Sequence, residues 1–258
     1  MTIDPLFTLS GFAVGLIVGL TGVGGGSLMT PVLILLFGVH PATAVGTDLL
    51  YASMTKAAGT LIHGFSRTVE WRVVLRLAKG SVSATALTLS LIAWFGVNTS
   101  AINTVITGVL SLALCASAAT LLFRARIEAR FGDLLAAIDR DQTQRLTVLS
   151  GAVLGILVSL SSVGAGALGV TALMLLYPRL PMSRIVGSDI AHAVPLTMIA
   201  GIGHWWLGLT DIGILGSLLS GSIPGIVLGS YVAPRIPDRA VRYLLAATLL
   251  VVGGRLVV

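Results

Sequence analysis

Three ionisable residues stand inside apolar stretches of this chain: Asp48, Lys56 and Asp189. A charge at the centre of a hydrocarbon-spanning helix costs at least about 2.5–3.5 kcal/mol, so each marks candidate chemistry. Asp48 and Asp189 end two matching tetrapeptides, Val45-Gly46-Thr47-Asp48 and Val186-Gly187-Ser188-Asp189. Two roles are open to them: carrying a proton, or holding a neighbouring helix start by accepting backbone N–H bonds. Lys56 lies about 12 Å further along the helix from Asp48. Its counterpart in the second tetrapeptide's segment is the neutral Thr197. A buried ammonium attracts an anion, or else pairs with an aspartate of the other segment. His192 shares a helical face with Asp189 and could titrate near neutral pH, or serve as a satisfied core histidine. His63 and His204, beside Gly64 and Trp205-Trp206, read as interfacial anchors, and His40 reads as a loop residue.

The second kind of chemistry is backbone chemistry. Glycine lets a chain turn sharply, and a helix that starts after such a turn presents free N–H groups and the positive end of its dipole. Gly24-Gly25-Gly26-Ser27 and Gly164-Ala165-Gly166 are two such breaks. Each lies inside an apolar region, and each is a cradle suited to an anion. Consecutive glycines fit this role better than close packing, which favours i, i+4 spacing. That spacing occurs at Gly11, Gly15 and Gly19. With Lys56 and the hydroxyls of Thr47 and Ser188, the residues of the two breaks form the expected substrate-binding set. Asp48, Asp189 and His192 form the set expected to couple protons or to hold the structure. No metal site or cofactor is expected, and Cys115 is the single cysteine.

The elements that must position these residues come in two copies. The segment from Gly11 to Leu28 returns as Gly151 to Leu168, 140 positions on. After one inserted residue the offset is 141, so that His63 matches His204 and Gly80-Ser81 matches Gly221-Ser222. Long apolar segments are expected at 42–63, 73–95 and 101–123, then at 184–205, 211–231 and 239–258. Each set of three follows a pair of short apolar pieces, 6–20 with 27–37 and 146–160 with 167–177. The pieces are too short for a bilayer core of about 30 Å and read as re-entrant hairpins of half-helices.

Composition agrees. Of 258 residues 55% are hydrophobic and 10% charged, with a mean hydropathy of +1.00. A soluble domain carries roughly 25% charged residues, so a polytopic membrane protein is expected. The net charge of +6 does not signal nucleic acid, because 14 of the 16 Lys and Arg fall in four short stretches between apolar segments. These are 67–79, 124–145, 179–184 and 235–242, which the positive-inside rule puts in the cytoplasm. Both ends of the chain then fall outside, and the start of the chain lacks the basic residues of a cleaved signal peptide. Three long crossings per half, an odd number, make the halves antiparallel. The expected architecture is an all-α polytopic membrane domain of two inverted repeats. Each repeat is a broken-helix hairpin plus three transmembrane helices: repeat 1 over about 6–123, a cytoplasmic linker at 124–145, and repeat 2 over about 146–258. Doubled, broken-helix membrane chains of this kind are the usual form of secondary transporters.

Gly22-Val23-Gly24-Gly25-Gly26-Ser27 running to Pro31, then Ala44-Val45-Gly46-Thr47-Asp48, and their degenerate second copy resemble the sulfite exporter TauE/SafE family, over about 8–256. The resemblance implies a bacterial inner-membrane exporter of sulfite, sulfonates or related small organic acids, with the two breaks and the Asp-bearing helices as substrate region. The second copy departs from the first at Ala165, which replaces the middle Gly, and at Thr171, which replaces Pro31. Expected partners are a small anion, protons as an optional coupling ion, and the lipid bilayer; a homodimer is left open. No Gly-x-x-x-x-Gly-Lys-Ser/Thr motif occurs. An ion gradient or the membrane potential is therefore expected to drive the cycle, unless a partner protein does. The alternatives are an intramembrane hydrolase using Ser27 as nucleophile, and a membrane subunit of a larger complex.

Overall fold

The structure, a computed structural model, describes residues 4–21, 26–63, 69–96, 100–136, 138–232 and 238–257. Among these, all regular structure is helical, in ten helices: α1 (Pro5–Thr21), α2 (Gly26–Leu35), α3 (Pro41–His63), α4 (Trp71–Phe95), α5 (Ser100–Ala136), α6 (Arg140–Ser161), α7 (Ala167–Leu176), α8 (Met182–Trp206), α9 (Ile212–Val232) and α10 (Asp238–Val257). Five of them, α4, α5 up to Arg124, α6, α8 and α9, are long and apolar enough to cross a membrane.

The helix boundaries follow local chemistry. Pro5 and Pro41 open α1 and α3, at positions where the missing N–H is no loss. The end of α8 is a Schellman turn. There Gly208 adopts φ +73°, its N–H donates to the Trp205 carbonyl, and the Leu209 N–H donates to that of His204. The start of α9 lies under Asp211, whose Oδ1 accepts the Ile214 N–H at 3.0 Å, as a helix-capping side chain does.

Two expectations change here. The first member of the second hairpin is no half-helix. Helix α6 has 22 residues, whereas α7 has 10 residues. At the rise of an α-helix these are lengths of about 33 Å and about 15 Å. The polar residues Arg140 to Arg145 extend α6 below the apolar piece, and hydrophobicity alone hid that turn and a half. The linker, expected as a stretch between the repeats, begins inside α5, which runs for 37 residues from Ser100 to Ala136.

The distribution of polarity is that of a lipid-embedded protein. Leu87, Leu112, Trp94, Trp206 and Val251 are exposed, while Thr47, Asp48, Ser81, Asp189, His192 and His204 are buried. Trp94, Trp205 and Trp206 stand exposed at the ends of α4 and α8, where aromatic belts meet the interface.

The tightest helix pairings are α1 with α9 and α4 with α6, each joining the two halves of the chain. Both are made by glycine. A Cβ at Gly80 would strike the Val148 carbonyl oxygen and the Ala152 nitrogen; one at Gly221 would strike the Thr8 carbonyl oxygen and the Phe12 nitrogen. Gly11 and Gly15 meet Leu218 and Ser222, and Gly151 and Gly155 meet Leu77 and Ser81 in the same way. Each contact therefore occurs twice with the halves exchanged, at the sequence offsets of 140 and 141. The packing role expected of Gly11, Gly15 and Gly19 is what these helices show, Gly19 lying against Ile226 and Gly229.

Candidate functional site

The centre of the molecule is the pair α3 and α8, which pack against each other and carry the buried polar residues. Ser53 Oγ donates across the pair to the carbonyl of Val194, its own repeat equivalent, at 3.2 Å. Polar side chains point inward here because their alternative is lipid.

Lys56 reaches from α3 in the first half to the break in the second. Its Nζ donates to the Ala165 carbonyl at 3.0 Å, and its charge acts on both Asp189 and Asp48. The break itself is an irregular turn that glycine permits. Gly164 and Gly166 have φ +128° and +134°, with Ser162 left-handed at φ +58°. The angles of the two glycines are closed to ordinary residues, so Gly164 and Gly166 are required by conformation. Lys56, Asp189, Asp48 and Gly164-Ala165-Gly166 are thus brought together. Gly24 and Gly25 lie outside the described residues, and Gly26 and Ser27 form the first turn of α2.

Each aspartate lies against the short helix of its own hairpin. Asp48, fully buried, accepts at Oδ2 from both the backbone N–H (3.1 Å) and the hydroxyl of Thr30 on α2. Asp189 Oδ1 rests on Gly169 of α7, so close that no Cβ fits there. Asp48 thus ties α3 to α2 one turn into the short helix. Hydrogen bonds to a charged partner contribute about 1.5–3 kcal/mol. We expect Thr30→Val to lower unfolding stability by about 2 kcal/mol and Thr30→Ser to restore most of it, as read by thermal unfolding in detergent.

Three residues missed from the sequence complete the site. The Ser162 hydroxyl stands close enough to act on the Asp48 carboxylate, and its Oγ and Asp48 Oδ1 are both buried with no other partner among the described residues. Thr30 carries no mark in the sequence beyond its place one turn into α2. Ser81 could have been found by the repeat: it lies 2.8 Å from His192 Nε2, and Tyr51 faces Ser222 at the equivalent positions.

Thr47 and Ser188 fall elsewhere. The Thr47 hydroxyl accepts the Asp211 N–H at 3.0 Å, and the Ser188 hydroxyl accepts the Glu70 N–H at 2.9 Å. These are again equivalent contacts, tying α3 to the start of α9 and α8 to the start of α4. An ion pair of Glu70 with Arg184 adds to the second. His204 is not an interfacial anchor: it is fully buried, with Nε2 2.9 Å from the Ser159 carbonyl. Its neighbours Trp205 and Trp206 face outward, and one helical step turns the histidine inward. The His63 side chain lies outside the described residues. His40 is an exposed loop residue beside Asn103.

No group of three or more metal-ligating side chains occurs among the described residues. A cavity of about 540 Å³ between α4, α5 and α6 is lined by Leu87, Leu91, Phe95, Ile102 and Ile156 and contains none of the site residues. It is an apolar groove on the outer face of the helices.

Buried charge on paired helices, a glycine break at their centre and an apolar exterior define a membrane transporter. The family model described as "Sulfite exporter TauE/SafE" matches residues 7–256, and the chain belongs to that family. It is 36% identical to "Probable membrane transporter protein YjnA" of Bacillus subtilis (strain 168), over 96% of this chain and 98% of that one. It is 30% identical to a "Probable membrane transporter protein" of Xylella fastidiosa (strain 9a5c), over 91% and 87%. "Probable membrane transporter protein MJ0441" of Methanocaldococcus jannaschii is 23% identical, over 96% and 93%. No solved structure matches the chain significantly. The protein is a multi-pass membrane transporter and not an enzyme, which removes the hydrolase reading of Ser27.

Proposed function

We propose that this protein is a secondary transporter that exports a small anion, such as sulfite, a sulfonate or a related organic acid. The observation that carries the reading is the Lys56 ammonium held 3.0 Å from the Ala165 carbonyl of the glycine break. A cation poised on irregular backbone inside a membrane protein is a ready anion receptor. Gly164, Ala165 and Gly166 form the second-half wall of the site. Gly26 and Ser27, in the first turn of α2, are the equivalent positions of the first half that lie among the described residues.

Transport proceeds by alternating access between two inverted repeats, about 6–123 and 146–258. The reciprocal glycine contacts support this, since a contact repeated with its halves exchanged is what a two-fold relation produces. The linker 124–145 lies in the cytoplasm and both ends of the chain lie outside, as the distribution of Lys and Arg argues. Thr47 and Ser188 accept cross-half bonds from helix starts and hold the repeats together.

A ligand that binds the folded state raises its melting temperature. Purified protein warmed with sulfite, sulfate, thiosulfate, methanesulfonate or acetate is expected to melt later with a sulfur oxyanion or sulfonate than with sodium chloride of equal ionic strength. Identical melting with every anion would remove the anion-receptor reading.

A further inference from the structure

Within the anion-transport reading, the buried charges do not balance for an anion. Counted as ionised, Lys56 carries one positive charge and Asp48 and Asp189 carry two negative ones, with Lys56 acting on both carboxylates. A monoanion that recruits the ammonium would leave three negative groups around a single cation in a place shielded from water. Like charges there repel far more strongly than in water.

We propose that anion binding is accompanied by uptake of one proton, with Asp189 as its acceptor, so that anion and proton cross together. Geometry selects between the aspartates. Asp48 has its charge met by the Thr30 N–H and hydroxyl. Asp189 accepts no hydrogen bond from any described residue; its Oδ1 is buried and unpartnered against the Gly169 backbone. Its charge partner is Lys56, the same group the anion needs. An anion that draws Lys56 toward itself uncovers Asp189, and a proton on that carboxylate replaces the lost positive charge.

The surroundings offer one competing acceptor. Of the helices against α8, α3 brings Lys56 and Asp48, whereas α4, α6 and α7 bring no charged side chain to bear on Asp189. On α8 itself His192 lies one turn further, with Nε2 beside Ser81 and Nδ1 buried and unpartnered. Its repeat equivalent is Tyr51, beside Ser222. Proton uptake thus belongs to the second half, while the cation belongs to the first. A monoanion carried with one proton moves no net charge, so the membrane potential does not drive it. The anion gradient and the pH difference across the membrane together set its direction.

The linkage is reciprocal, which makes it measurable as binding. Detergent-purified protein is titrated with sodium methanesulfonate, which stays ionised throughout, and with sodium sulfite. Both titrations are run in mildly acidic and mildly alkaline solution, counting protons from buffers of different ionisation enthalpy. Wild type is expected to take up about one proton per methanesulfonate bound, and its dissociation constant to fall by up to about tenfold per unit of pH lowered. Asp189→Asn is expected to bind with an affinity independent of pH, and Asp189→Glu to regain the proton. For sulfite, which itself titrates, the difference between wild type and Asp189→Asn reports the same proton. Anion binding by wild type with no proton uptake, or uptake that survives in Asp189→Asn, overturns the proposal while leaving the anion site standing. Should neither anion bind in either solution, the anion reading fails and this proposal falls with it. The wild-type titrations decide the linkage even if a variant does not fold.

Discussion

Gly80→Val and Gly221→Val should each leave little folded protein in the membrane, and to the same degree. Both residues let one helix lie directly on the main chain of another. At Gly80 a Cβ would lie 2.7 Å from the Ala152 nitrogen, and at Gly221 2.8 Å from that of Phe12, with a carbonyl oxygen closer still. Main-chain atoms cannot rotate away as a side chain can, so the helices must separate. Ordinary overpacking costs about 1–3 kcal/mol, and these clashes belong at or beyond that upper end. The loss would fall on pairings that membrane helices maintain by close packing, with no hydrophobic effect to replace it. Gly216→Ala on α9 is the control, because nothing lies within 4 Å of a Cβ there. An exposed helical glycine gains up to about 1 kcal/mol on becoming alanine. Folded yield by size-exclusion chromatography and melting temperature should therefore drop for both valine variants and hold or rise for Gly216→Ala. A large drop at only one of the two positions would contradict the equivalence of the two contacts.

Lys56→Gln is expected to cut anion flux by at least tenfold while leaving a folded protein. Among the described contacts of the lysine is a hydrogen bond to the Ala165 carbonyl. Such a bond is worth about 0.5–1.5 kcal/mol, and a glutamine amide can partly replace it. Its contribution to an anion site is the only positive charge that acts on Asp48 and Asp189 among the described residues. A tenfold loss corresponds to about 1.4 kcal/mol, well below what removing one partner of a buried charge pair costs. The expected effect is therefore a lower bound. Lys56→Arg keeps the charge but not the compact ammonium, and should give intermediate flux.

Helix positions were legible in the sequence because lipid demands long apolar runs, and Lys56, Asp48 and Asp189 were legible because charge in such runs is costly. The i, i+4 glycines also announced a packing face. Their partners did not: Gly11 advertises a close contact, but nothing near it says that the contact is Leu218 of the other half. The hydroxyls of Thr47 and Ser188 have partners that nothing near them announces either. Standing beside aspartates inside apolar helices, they looked like ligands, yet each meets the backbone N–H of a helix start more than a hundred residues away. His204 was obscured by its neighbours, since two exposed tryptophans mark an interface without saying which way the next residue points. The full length of α6 was hidden because its first turns are charged. Local chemistry was readable where the solvent imposes it, and contacts across the two halves were not.

Whether an anion is carried at the Lys56 site is tested most directly by counterflow of labelled sulfite in proteoliposomes. Vesicles loaded with unlabelled sulfite and diluted into labelled sulfite should accumulate label when they contain wild-type protein, and should do so at least tenfold more slowly with folded Lys56→Gln. Equal accumulation by the two proteins would contradict the site, and no accumulation by wild type above protein-free vesicles would contradict sulfite as cargo.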